Sequence, residues 1–170
     1  MNRIKQRALW LNIHLYLALS IGFFFALMGL TGSLSVYRTA MDEFLNPKLV
    51  IEQPQGQKQP LNKIIHAIET AYPDLTNSWT LEMPSSEHGM ITAWYDKPTE
   101  TFFELYAPLM VSVNPYTAEV VEGRFWGKTF TTWILDLHAQ LKLNKFGWNV
   151  IGFFGVLLCV SISTGLYLWW

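Results

Sequence analysis

The run from Leu9 to Tyr37, LWLNIHLYLALSIGFFFALMGLTGSLSVY, carries no residue charged at neutral pH and one histidine, His14. A helix needs about 20 predominantly apolar residues to cross a bilayer, so the run predicts a membrane span rather than the core helix of a soluble domain. It is too long for the apolar core of a secretory signal, and no small-x-small cleavage site falls near its middle. Arg3, Lys5 and Arg7 precede it, whereas Arg38 on its far side is followed by Asp42 and Glu43, and this basic bias predicts a cytoplasmic N-terminus. Along the run His14, Ala18, Gly22, Ala26, Gly29 and Ser33 recur at steps of three or four. They predict one flat side on which another helix, or a planar cofactor, rests.

A second uncharged run, Phe146 to Trp170, predicts a second span with its own small-residue face at Gly152, Gly155, Cys159 and Ser163. Tyr167, Trp169 and Trp170 at its end suit an interfacial aromatic belt. The expected topology is in, out, in. The last residues carry no Lys or Arg to anchor a cytoplasmic exit, which predicts a partner helix or further polypeptide there. With a formal charge of −1 and no basic cluster, nucleic-acid binding is not indicated. The single cysteine, Cys159, allows neither an internal disulfide nor a cysteine-based metal site.

Between the runs the pattern changes. Asn46 to Pro60, with three prolines and four glutamines, predicts a linker. Leu61, Ile64, Ile65, Ile68 and Tyr72 recur at helical spacing up to Pro73. The segments SWTLEM, MITAWYD, TFFELYA and LMVSVNPYTAEVV then predict antiparallel strands, giving a small α+β domain. His66 falls on the polar side of the helix and His88 in a turn, and neither is assigned a role. Gly123 to Leu141 returns to helical spacing, apolar at Phe130, Trp133, Ile134, Leu137 and Leu141 and polar at Lys128, Asp136 and Gln140. It predicts an amphipathic helix on the membrane surface, with His138 looking to the apolar side.

The expected fold is therefore a membrane α-helical protein, two transmembrane helices with an extracytoplasmic α+β domain between them. Its segments are a cytoplasmic N-terminus at 1–8, a first span at 9–37 and a linker at 38–60. The α+β domain follows at 61–121, then the surface helix and turn at 122–145 and the second span at 146–170.

Several stretches together carry a resemblance: His14 early in the first span, LTGSLSVYR from Leu30 to Arg38, LHAQL from Leu137 to Leu141 and STGLYLWW from Ser163 to Trp170. Asn114-Pro115-Tyr116-Thr117-Ala118-Glu119-Val120 stands where a DPxTGEV pattern is usual. In this order the chain resembles the PepSY-associated transmembrane proteins, which include bacterial iron-regulated inner-membrane proteins and ferric-siderophore reductases. The resemblance implies a PepSY module in the periplasm and an inner-membrane location. It also implies b-type haem, two per assembly, with His14 and His138 as axial ligands to haem iron, and electrons passed outward to a ferric siderophore. Partners so implied are the lipid bilayer and a homodimer mate or additional membrane subunit, because histidines near opposite faces of a core about 30 Å thick cannot share one iron. Arg7, Arg38, Arg124 and Lys142 are candidate partners for haem propionates, against the simpler reading of solvated side chains. A second class of function remains open at this point, a non-enzymatic anchored module that binds or regulates a periplasmic protein or helps assemble a complex. The outer domain offers no nucleophile paired with a base and no paired carboxylates, so any chemistry would come from a cofactor.

Overall fold

The computed structural model describes residues 3–170. The chain divides into two compact units, Met1–Val36 with Ile134–Trp170, and Tyr37–Trp133.

The first unit is built on α1 (Arg3–Val36) and α5 (Asn144–Trp169), both long and apolar enough to cross a membrane. They lie antiparallel: Trp10 meets Tyr167 edge to face, and Phe24 stacks on Phe154 with centroids 4.1 Å apart. Arg7 Nη2 donates to the Leu168 carbonyl at 2.6 Å, joining the start of α1 to the end of α5. The contact faces are not the small-residue stripes. On α1, His14 and Phe24 meet α5, and Ile21 and Thr31 are buried, while a Cβ added at Gly22 or Gly29 would meet nothing. On α5 the buried positions are Gly147, Ser161 and Thr164, and Gly152 and Gly155 stand open. Polar groups in an apolar medium must be satisfied by protein, so the histidine and threonine positions take the interface and leave Gly22, Gly29, Gly152 and Gly155 outside. Exposed Leu11, Leu19, Phe23, Phe153, Val156 and Leu166 spread an apolar surface along both helices, far beyond what a water-facing surface tolerates.

The last turns of α4 (Phe130–Gln140) belong to this unit too. The expected polar face is turned inward: Asp136 is only 5% exposed and forms a 2.9 Å ion pair with Lys142, and Gln140 is buried beside it. Residues 134–140 therefore do not lie as a surface helix with Asp136 and Gln140 in water. A tight reversal leads into α5, with Leu141, Lys142 and Asn144 all at positive φ, a conformation costing a non-glycine residue about 1–2 kcal/mol. Gly147 is packed directly on the Gln140 carbonyl, an approach that any side chain would block.

The second unit is an antiparallel sheet in the order β1 (Thr80–Glu82), β2 (Ile91–Tyr95), β3 (Leu109–Val113), β4 (Val120–Phe125). The helix α3 (Leu61–Ala71) drops Ile64 and Ile68 onto Ile91, Ala93, Val111 and Val113 to make the core. The expected strand over TFFELYA is absent. Thr99–Thr101 forms a short 3-10 turn, and Thr101 Oγ1 donates to the Ala107 carbonyl, closing the segment as a loop between Pro98 and Pro108. The expected helix from Gly123 begins seven residues later. Leu109 pairs with Phe125 and Val111 with Gly123, so sheet pairing claims residues 120–125, and the chain then turns at Gly127 (φ 77°). Thr129 Oγ1 accepts the Thr132 amide and caps the helix start. The segment expected as a linker also gains structure: α2 (Arg38–Leu45) opens it, and Val50 bridges Gly89. Asp42 on α2 accepts both guanidinium nitrogens of Arg124 at 2.9 and 2.7 Å, clamping α2 to the sheet face opposite α3.

Candidate functional site

The two sequence-predicted site residues, His14 and His138, both lie in the helical unit, in matching surroundings. His14, on α1, sets Nδ1 3.0 Å from the Ser161 carbonyl and 3.0 Å from Thr164 Oγ1 on α5. His138, on α4, sets Nδ1 3.0 Å from the Met28 carbonyl and 3.3 Å from Thr31 Oγ1 on α1. Under each ring lies a glycine, Gly165 and Gly32 respectively, where an added Cβ would come within 3.1 and 2.8 Å of Cε1. Each cradle is thus a carbonyl at position i, a threonine at i+3 and a glycine at i+4 of a neighbouring helix. Those positions share one face of a helix.

The bonding fixes the imidazole tautomer. A carbonyl oxygen only accepts, so each ring donates from Nδ1, and in the neutral imidazole the lone pair then lies on Nε2. Thr164 Oγ1 already donates to the Ser161 carbonyl at 2.9 Å and Thr31 Oγ1 to the Leu27 carbonyl at 2.8 Å, which leaves both hydroxyls as acceptors toward the rings. Among the described residues no hydrogen bond engages either Nε2. An imidazole oriented through Nδ1–H on a carbonyl, with Nε2 unshared, is the form in which histidine ligates metals. Each cradle thus presents one imidazole nitrogen, a donor of the kind that haem iron takes. The two do not converge: His138 meets α1 between Met28 and Gly32, roughly 20–27 Å beyond His14 at the helical rise. Among the described residues no three His, Cys, Asp or Glu gather into a metal site.

The basic candidates are all engaged. Arg7 bonds the Leu168 carbonyl, Arg38 stacks over Trp126 at 5.5 Å, Arg124 pairs with Asp42, and Lys142 pairs with Asp136. His66 stays exposed on α3 as expected, while His88 Nδ1 bonds the Ile51 carbonyl and pins its turn. Sequence reasoning missed the threonines and glycines of the cradles. Their signal was the Thr-Gly pair that recurs in LTGSLSVYR and STGLYLWW.

Beside His14, Trp10, Val160, Thr164 and Tyr167 line part of a mainly apolar groove of about 480 Å³ along α5. Thr164 thus borders both the groove and the histidine.

No curated relative matches the chain. Residues 11–170, both apolar helices and the sheet unit included, match the family described as PepSY-associated TM region, and the chain is a membrane protein that belongs to that family.

Proposed function

We propose that this chain is a haem-carrying oxidoreductase, or a subunit of one, that passes electrons across the bacterial inner membrane toward ferric iron held by a siderophore on the outer side. The observation that supports this is the pair of matched cradles, which turn Nδ1 of His14 and His138 onto helix carbonyls and leave Nε2 without a hydrogen bond among the described residues. Haem b at each would supply a one-electron ferric/ferrous couple. The chain's own part is positional. The carbonyls of Ser161 and Met28 hold the Nδ1 protons, Thr164 and Thr31 brace the rings, and Gly165 and Gly32 give the imidazoles room against the helix backbone. Each histidine would offer one ligand, and a second copy of the chain or another membrane subunit would supply the other. The basic residues Arg3, Lys5 and Arg7 orient the N-terminus, and with it His14, to the cytoplasm, leaving residues 37–133 in the periplasm.

The test is an absorption spectrum, oxidised and dithionite-reduced, of the chain purified in mild detergent, with haem quantified per polypeptide. The reading expects a b-type spectrum from which His14→Ala and His138→Ala each remove a different haem. A variant that kept all its haem would remove that histidine from the assignment. Folded, colourless protein from haem-replete cells would overturn the proposal and leave an anchored PepSY module that binds a periplasmic partner.

A further inference from the structure

The sheet unit is chemically polarised from end to end. At one end of β3 and β4, beyond Leu109 and Phe125, the loop 99–107 displays Phe102, Phe103 and Tyr106, with Phe103 98% exposed. At the other end, beyond Val113 and Val120, the turn 114–119 exposes Thr117 and Glu119, and the neighbouring turn before β2 exposes Ser85, Ser86, Glu87 and His88. A strand of this length separates the two ends by roughly 17 Å.

The aromatic end also neighbours the segment that leads on to α4. Arg38, the residue after the Tyr37 junction, stacks on Trp126, and Tyr106 meets the same indole edge to face at 5.4 Å. Glu104, next to Phe103, pairs with Lys128 at 3.2 Å, two residues before the start of α4, whose Trp133 ends the unit. Exposed Leu45 and Phe130 share a groove beside Lys128. The segment leading into α4 thus runs beside the aromatic loop, and Arg38 at the other connection reaches the Trp126 ring that Tyr106 also meets. A water-facing loop gains nothing from three aromatic side chains in six residues, whereas aromatic rings flanked by Arg and Lys match the headgroup region of a bilayer.

From this placement we propose that the loop 99–107 is a lipid-contacting surface, with Phe102 and Phe103 inserted at headgroup depth and Arg38 and Lys128 facing the phosphates. The occupant is the bilayer that α1 and α5 cross. This inference does not depend on haem.

The experiment uses the full chain in phosphatidylcholine–phosphatidylglycerol nanodiscs. In a Cys159→Ser background, Phe103→Cys or, as the far-end control, Glu119→Cys carries an environment-sensitive fluorophore. Both positions are exposed, so neither change burdens folding. The expected result is a blue-shifted label at 103, quenched by lipid bearing a nitroxide near the headgroup and about fivefold less by aqueous iodide than the label at 119. Equal iodide quenching at the two positions overturns the proposal. So does protection at 103 from both quenchers, which would mean that protein covers the loop.

Discussion

Replacing Gly32 with alanine probes the tighter of the two histidine cradles. The added Cβ would lie 2.8 Å from His138 Cε1 and 3.2 Å from Nδ1, whereas carbon atoms at rest sit about 3.5–4.0 Å apart. The ring must retreat by about 0.7 Å or more, which carries Nδ1 from 3.0 Å off the Met28 carbonyl to the limit of hydrogen bonding. Overpacking costs about 1–3 kcal/mol and the weakened bond about 1 kcal/mol, offset by up to about 1 kcal/mol from the better helix former. The net loss is about 1–3 kcal/mol. At Gly165 the corresponding distance is 3.1 Å, the ring gives by a few tenths of an ångström, and the helix gain nearly cancels the cost. Unfolding by sodium dodecyl sulfate in mixed micelles, followed by tryptophan fluorescence, measures both, and a cycle with His138→Ala isolates the contact. Without the imidazole, Gly32→Ala becomes neutral or mildly stabilising. If it costs as much in that background, or if Gly165→Ala costs more than Gly32→Ala, the cradle argument fails.

Ala118 sits at φ 61°, where the usual pattern has glycine, so Ala118→Gly stabilises the sheet unit by about 1 kcal/mol, read as a raised unfolding midpoint; a lowered midpoint refutes the reading. Arg124→Lys loses the two parallel bonds to Asp42 and costs about 1–2 kcal/mol, and hydrogen exchange at residues 38–46 should quicken while that at α3 does not. Burial, and then the charge of Glu122, raise the Tyr72 phenol above its ordinary value of 10.0. Its neutral form is thus favoured in the fold, so the stability it contributes is complete below about pH 10 and is lost as pH climbs through the raised pKa. Tyr72→Phe should flatten that alkaline decline, and an unchanged slope would assign it elsewhere.

The two apolar helices, α3 and three of the four strands were legible because each rests on a local period that burial then rewards. Thr80–Glu82 and Ile91–Tyr95 alternate as strands, and Ile64 and Ile68 return at helical spacing. The loop 99–107 misled because aromatic richness mimics a strand, while the Thr101 bond to Ala107 that closes the loop has no periodic signature. Gly123 to Phe125 misled in the opposite way, since pairing with Met110 and Val111 overrides helical spacing. The Asn114 substitution is absorbed locally: its side-chain oxygen accepts the amides of Tyr116 and Thr117. His14 stood out as the ionisable residue of an otherwise apolar run and His138 by its place on the apolar side of an amphipathic helix, but which helix face receives each ring is a tertiary fact. The small-residue stripes pointed to the wrong face because close approach is only permitted by glycine, whereas a half-buried imidazole in apolar surroundings demands an acceptor.

The helical contacts also close on themselves. His138 of α4 rests on α1, His14 of α1 rests on α5, and Gly147 of α5 rests on the Gln140 carbonyl of α4. Each helix is both seat and occupant, so a slide of α1 by a single residue, about 1.5 Å, would unseat both imidazoles at once. The arrangement behaves as a lock on axial register, one whose two tumblers lie at well-separated depths, and an insertion of one residue between His14 and Thr31 would jam it.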